Sequence, residues 1–230
     1  PQPLGDGAPL RVEGQIEVSS LYDATFGEAL PAGSDAAGLW WASSGWKVGR
    51  QHPVPATMGE RILIRAAKNE SEAAQLVVRP NAELAGFVAL GAPLTGPGGA
   101  VIPDTNVNVL RVRYVQTERA TDASASVGLW PDPLPPASVP TTLAAGQSQP
   151  LWVRVTVPPG APAGIYDGTV ALRGNGYAVD VPIRVEVFDF ELPPRPTCTT
   201  TFGFSPELVF KYQRINDPAQ RKQVLDLYWK

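Results

Sequence analysis

Apolar and polar side chains alternate with a period of two in one short run after another through the middle of this chain. Glu60–Ala66 places Ile62 and Ile64 on one face, and Glu72–Arg79 places Ala74, Leu76 and Val78 together. Val107–Glu118 sets Leu110, Val112 and Tyr114 inward, with Arg111 and Arg113 outward. Leu151–Val157 aligns Leu151, Val153, Val155 and Val157. Ile165–Arg173 and Tyr177–Phe188 flank the turn signal Gly174-Asn175-Gly176. The second of these puts Tyr177, Val179, Val181, Ile183, Val185 and Val187 on one side. This is the pattern of half-buried strands, and the turn residues tolerate the positive φ of a tight hairpin. Pro182 predicts an edge position, because it has no N–H for a second ladder. Phe87–Leu90 reads as a short strand and Arg11–Ser19 as a strand of imperfect alternation.

The intervening segments predict turns. Residues 1–9 read as a leader and 22–37 as a loop, while 38–48 is dense in aromatics. Residues 119–150 show little pattern, and Leu129–Pro136 predicts a polyproline-like segment lying on the sheet. With eight or so antiparallel strands and no helical period before residue 217, the expectation is an all-β fold, an antiparallel β-sandwich over residues 10–192. Residues 193–198 form a proline-rich, stiff linker. Beyond it, Thr199–Phe204 reads as a new strand. Asp217-Pro218 opens an amphipathic helix with Asp at the cap and Pro at the first helical position. One strand and one helix cannot bury their own apolar faces. Residues 199–230 therefore read as the first, incomplete unit of a second and larger domain.

Composition narrows the function more than the fold. The 230 residues carry a net charge of −3, with no basic cluster interleaved with aromatics, so neither nucleic acid nor an anionic membrane is an expected partner. No apolar run approaches the ~20 residues of a membrane span, and no signal peptide is expected within these residues, because a charged segment followed by an apolar run is missing from the N-terminus, which leaves open one removed beforehand. One cysteine, Cys198, and one histidine, His52, exclude a disulfide scaffold and make a metal site or metal cofactor an unexpected feature. Cys198, within the predicted strand, reads as a buried thiol and His52 as a turn residue. Asn69-Glu70-Ser71 fits the glycosylation pattern, and Glu70 alternatively orients the turn before its strand.

Several segments occur together in an order that resembles a known bacterial architecture. They are Leu39-Trp40-Trp41 through Gly45-Trp46-Lys47-Val48, Ala67-Lys68-Asn69-Glu70 through Val78, and Trp130-Pro131-Asp132-Pro133-Leu134. Gln149-Pro150-Leu151-Trp152-Val153, Ala163-Gly164-Ile165-Tyr166-Asp167-Gly168 and Phe188-Asp189-Phe190-Glu191-Leu192-Pro193 follow. Over roughly residues 38–205 the chain resembles the N-terminal β-sandwich of glycoside-hydrolase-like proteins carrying domain of unknown function 4091 and, more distantly, the β-N-acetylgalactosaminidases of glycoside hydrolase family 123. The resemblance implies that a TIM-like barrel follows the sandwich and that 199–230 is its first strand and helix. A whole barrel takes about 250 residues. It also implies secretion or a periplasmic location and an N-acetylhexosaminide substrate. In the family an adjacent Asp–Glu pair on a later barrel strand is catalytic, one carboxyl orienting the substrate's acetamido nucleophile and the other acting as general acid. No Asp–Glu dipeptide occurs in this sequence, so no catalytic residue is assigned to it.

The expected role is therefore a non-catalytic accessory domain, with a carbohydrate-binding module or a structural sandwich mediating assembly as alternatives. Trp40, Trp41 and Trp46 are the carbohydrate-binding candidates, because sugar C–H faces pack on aromatic rings; the competing reading is a sandwich core with one tryptophan plugging its end. Trp130, Trp152, Phe202, Phe204, Leu225 and Tyr228 are candidates for packing between domains, against the remainder of a barrel or another protein chain. Asp189 and Glu191 share one strand face at i, i+2 and read as solvated residues, not as a catalytic pair. No cofactor is expected.

Overall fold

The computed structural model describes residues 25–120, 127–195, 198 and 203–229. The chain divides into two compact units with the boundary between Leu192 and Pro193.

The strands of the first unit are β1 (Glu28–Ala29), β2 (Ala37–Ser43), β3 (Ile62–Lys68), β4 (Ser71–Pro80), β5 (Leu84–Gly91), β6 (Leu94–Thr95) and β7 (Val101–Ile102). They continue with β8 (Val107–Arg111), β9 (Tyr114–Thr117), β10 (Gly128–Pro131), β11 (Thr141–Leu143), β12 (Gln149–Thr156), β13 (Gly164–Gly174) and β14 (Tyr177–Glu191). A five-stranded sheet has the order β1-β2-β4-β12-β8. A larger sheet runs β11-β5-β13-β14-β3, with β6 and β7 attached beside β13. The apolar faces of these two sheets close on one core. Leu39, Leu76, Leu151 and Val153 from the first meet Phe87, Tyr166, Leu172 and Ile183 from the second. The fold is thus a mostly antiparallel β-sandwich, as the period-two runs required.

Four details depart from the sequence expectation. The run Val107–Glu118 is two strands, β8 and β9, because the ladder to β12 ends at Pro150: the Val112 N–H bonds Pro150 O in register at 3.0 Å, but Pro150 has no N–H to return. The buried Gln149 amide fixes the break by donating to Val112 O and Pro150 O, both at 2.8 Å. Second, β14 is not an edge: it pairs with β13 and, in parallel, with β3. Pro182 is accommodated because β3 begins opposite Ile183, one residue later. Third, Leu129–Pro136 is more than a polyproline-like segment on the sheet. Gly128–Pro131 forms β10 against β9, and Arg111 N–H and Arg113 N–H donate to Pro135 O and Pro133 O at 2.7 and 2.8 Å. Fourth, within the segment read as a loop, Glu28–Ala29 forms β1 against β2. The predicted strand Arg11–Ser19 lies outside the described residues.

The hairpin between β13 and β14 closes through Asn175-Gly176, with Gly176 at φ 72°. At the β3–β4 turn Asn69 adopts φ 62°. The Glu70 carboxylate accepts the Ala67 N–H at 2.7 Å, and the Asn69 amide donates to Leu192 O at 2.9 Å. Glu70 therefore orients this turn, and the Asn69 side chain is engaged in holding the end of the sandwich.

The second unit contains α1 (Pro206–Gln213) and α2 (Pro218–Tyr228). Asp217 caps α2 by accepting the Gln220 N–H at 3.0 Å, as its sequence predicts. Helix α1 was not expected. Its eight residues are too few to show a helical period, and it ends at Arg214 in the left-handed conformation, φ 56°. The strand predicted over Thr199–Phe204 falls mostly outside the described residues, and Gly203 and Phe204 are irregular. Cys198 is exposed, not buried. No described helix is long and apolar enough to cross a membrane.

Candidate functional site

Strand β2 carries Trp40 and Trp41, and neighbouring residues of a strand point to opposite faces. Trp41 turns inward, packs partly against the main core and donates its Nε1–H to Glu28 Oε2 at 3.0 Å. Trp40 turns outward but is fully enclosed, with an exposure of 0%. It lies in a second, smaller core with Phe26, Ala42, Val48 and Val77, formed where the segment after β2 folds back over the five-stranded sheet. His52 closes the turn begun at Gly49, its N–H donating to Gly49 O at 3.1 Å, and its ring is stacked on Trp40 at 4.6 Å and sits 4.5 Å from Phe26, so this turn residue is also a buried part of the second core. The tryptophans at 40, 41 and 46 therefore form no shared platform. Trp40 is the plug, Trp41 belongs to the interior, and Trp46 alone of the three presents its indole to solvent, at 38%.

Trp46 contributes to a different constellation. Its ring is stacked flat on Phe26, with centroids 4.5 Å apart and 5° between planes. On β4, Gln75 faces outward between Ala42 and Trp152, its register neighbours on β2 and β12. Its side-chain amide donates to Ser43 O at 3.0 Å and Trp46 O at 2.8 Å, which ties the Trp46 backbone to the sheet. Opposite, the end of β10 and the docked segment after it bring Pro131, Asp132 and Leu134 forward. The result is a groove of about 180 Å³ on the outer face of the five-stranded sheet. Trp46 and Trp152 form its aromatic walls; Asp132, Lys47 and Gln75 supply its polar groups. The Lys47 ammonium also lies 5.9 Å from the centre of the half-buried Trp130 ring. Indole faces beside a few hydrogen-bonding side chains suit an amphipathic ring ligand. The groove is smaller than the about 300–1,000 Å³ of drug-sized pockets, a size for one ring and not an extended chain.

Sequence reasoning placed Trp130 and Trp152 between domains; the structure puts Trp152 in this groove and Trp130 beside it, under Lys47. Phe202 lies outside the described residues. Phe204, Leu225 and Tyr228 belong to the second unit, where Phe204 meets both Tyr228 and Trp229 at 5.3 Å between ring centres. Leu225 is half-buried and Tyr228 exposed.

Asp189 and Glu191 have separate structural partners. Asp189 accepts from Lys68 Nζ at 2.8 Å, and that hydrogen bond holds its carboxyl below the usual range. Glu191 accepts the Gly160 N–H at 2.7 Å. Among the described residues, no group of three or more His, Cys, Asp or Glu side chains is arranged to hold a metal ion.

The family model described as the glycoside hydrolase 123 N-terminal domain matches residues 41–174. This chain belongs to that family. It is also similar in fold to a solved family 123 glycoside hydrolase from Clostridium perfringens, reported in work on the details of glycolipid glycan hydrolysis. The TM-score is 0.66 at 14% sequence identity over 82% of this chain. The chain spans 35% of that enzyme's chain. No curated protein matches the sequence.

Proposed function

We propose that this chain is a non-catalytic accessory module of a glycoside hydrolase and that its Trp46–Trp152 groove contacts a sugar ring of the glycan. The observation that carries this reading is the composition of the groove, two indoles and a single carboxylate, Asp132. Hydrolysis of a glycosidic bond ordinarily uses two carboxyl groups about 5–9.5 Å apart. Aromatic walls with one acid serve binding better than bond cleavage. Following the family, the glycan is an N-acetylhexosaminide, of the glycolipid type acted on by the solved relative, met outside the cytoplasm. Residues 199–230 open a catalytic barrel that holds the acidic pair. The proposal is supported by the exposure of Leu208, Tyr212, Leu227 and Trp229, apolar side chains that a larger domain would cover.

The test is turnover of an aryl N-acetyl-β-galactosaminide by the purified chain. Rates equal to the buffer blank are expected; hydrolysis above the blank that persists after repurification would overturn the non-catalytic reading.

A second reading, a sandwich that mediates assembly, is favoured by one feature. Phe188 and Phe190 near the end of β14 are stacked 5.8 Å apart, 37% and 55% exposed. Such a pair suits a covering polypeptide. Sedimentation velocity of the wild type and of Phe190→Ser decides it: a self-association lost in the variant supports assembly, and a monomer in both excludes self-assembly.

A further inference from the structure

The break between β8 and β9 has a consequence on its other side. Arg111 and Arg113 flank Val112 and line a pocket of about 480 Å³ together with Arg50. The remaining polar lining is neutral: Tyr114, Thr141, Thr142, Gln147 and Gln149. No carboxylate lines it. Among the described residues none of the three arginines makes an ion pair, although Arg61, Arg65, Arg173, Arg184 and Arg221 all do. Asp132 lies across from Arg113, donating its N–H to Arg113 O at 3.0 Å, but its carboxylate belongs to the neighbouring groove.

Two of the guanidinium groups are already placed for a ligand. Arg50 lies 4.4 Å over the Tyr114 ring and donates to Gln147 Oε1 at 3.1 Å, so its plane is fixed from two sides. Tyr114 is itself held by its hydroxyl, which donates to Val48 O at 2.8 Å. Arg111 has its Nη1 shielded from solvent with no acceptor in reach. A buried cationic donor without an acceptor is costly, and a fold that keeps one has a use for it or a partner to supply. Burial and the neighbouring charge of Arg113 both press on Arg111, lowering its pKa from the ordinary arginine value. An anion would relieve both.

We propose that Arg50, Arg111 and Arg113 form a binding site for an oxyanion, a carboxylate or sulfate carried by a saccharide. Planar guanidinium groups match such oxyanions through paired hydrogen bonds. The threonine hydroxyls and glutamine amides around them suit sugar hydroxyls. The pocket shares Val112 with the aromatic groove, and the segment after β2 supplies Trp46 and Lys47 to one and Arg50 to the other. That the oxyanion arrives on a saccharide rests on the carbohydrate reading above; the oxyanion site itself stands without it.

The experiment is a calorimetric titration of the full chain with sodium sulfate against sodium chloride at equal ionic strength. Galactose 6-sulfate, N-acetylneuraminic acid and neutral galactose follow. Saturable sulfate binding is expected, with an acidic sugar binding at least about tenfold tighter than galactose, as one charge-assisted hydrogen bond would give. Arg111→Gln and the exposed Arg113→Gln should each weaken sulfate binding by about tenfold while Arg113→Gln leaves the unfolding temperature in place. Sulfate heats no different from chloride, or unaffected by both substitutions, would overturn the site. Sulfate binding without tighter binding of either acidic sugar, or sulfate displaced only by a polyglutamate peptide, would overturn the saccharide as carrier. Neutral-sugar binding at Trp46 and Trp152 is read separately, so loss of either result leaves the other interpretable.

Discussion

Trp40 and Trp46 are six residues apart and divide stability from recognition, which a pair of truncations separates. Trp40 is fully buried between Phe26, Val48, Val77 and the His52 ring. A buried tryptophan removes about 150–250 Å² from water, which at about 25 cal/mol per Å² corresponds to about 4–6 kcal/mol. Against this, its Nε1–H is buried without a partner, and such an unmade bond costs about 1–3 kcal/mol. Trp40→Ala should therefore destabilise the fold by about 3 kcal/mol, at the lower end of the range for large core truncations. Trp40→Phe keeps most of the ring and removes the orphan donor, so it should cost no more than about 1 kcal/mol. Trp46, 38% exposed and stacked on Phe26 alone, should cost about 1 kcal/mol as Ala and abolish the sugar response. Equilibrium urea unfolding followed by circular dichroism reads all three. A Trp40→Ala chain as stable as wild type would refute the second core. Equal losses in Trp40→Phe and Trp40→Ala would show that the indole N–H finds a partner.

Three further outcomes follow from the geometry. Gly91→Ala should destabilise by about 1–3 kcal/mol, because a Cβ there would collide with the Val107 carbonyl and lie 2.7 Å from Val107 Cβ, where the two sheets meet; denaturation midpoints check this against Gly45→Ala, whose Cβ would meet only Ser43 Oγ at 4.0 Å. Asp167 is held below its ordinary carboxylate range first by its hydrogen bond from Arg184, then by the charges of Arg184 and Arg61. Its folded pKa lies below the unfolded value of about 3.9, so its contribution is complete above that pH and lost as pH falls through the folded value. Asp167→Asn should accordingly lower the melting temperature at pH 7 and match wild type at the acid end; a constant offset at all pH values would contradict the assignment. Tyr114, whose ionisation is pushed up by burial, should ionise only above the ordinary tyrosine range of about 10 in an alkaline ultraviolet titration, and Tyr114→Phe should cost about 1 kcal/mol through the lost bond to Val48 O.

The strands were legible in the sequence because their period is local. Tyr177 to Val187 shows it: the predicted inward face is the one that packs into the core. The opposed directions of Trp40 and Trp41 were legible too, once a strand is drawn through both, but their aromatic density suggested a shared surface. The β8–β9 break was hidden because polar–apolar alternation runs through Val112 and Arg113 unbroken; what ends the ladder is Pro150, which has no N–H to give Val112 O, so the Gln149 amide supplies that bond, and both are distant in sequence. The groove and the arginine pocket were hidden for the same reason. Trp46 and Trp152, or Arg50 and Arg111, meet only through sheet pairing and the return of the segment after β2. The parallel β3–β14 pair likewise leaves no local mark, since its residues alternate as an antiparallel pair would.

The most direct test uses the indole N–H resonances of the six tryptophans as reporters. A ¹⁵N-tryptophan-labelled chain is titrated with an N-acetylgalactosamine-terminated oligosaccharide. The account predicts saturable shifts at Trp46 and Trp152, with Trp40, Trp41 and Trp229 unmoved. An unchanged spectrum at a saturating glycan concentration, or shifts at Trp229 without Trp46 and Trp152, would contradict it.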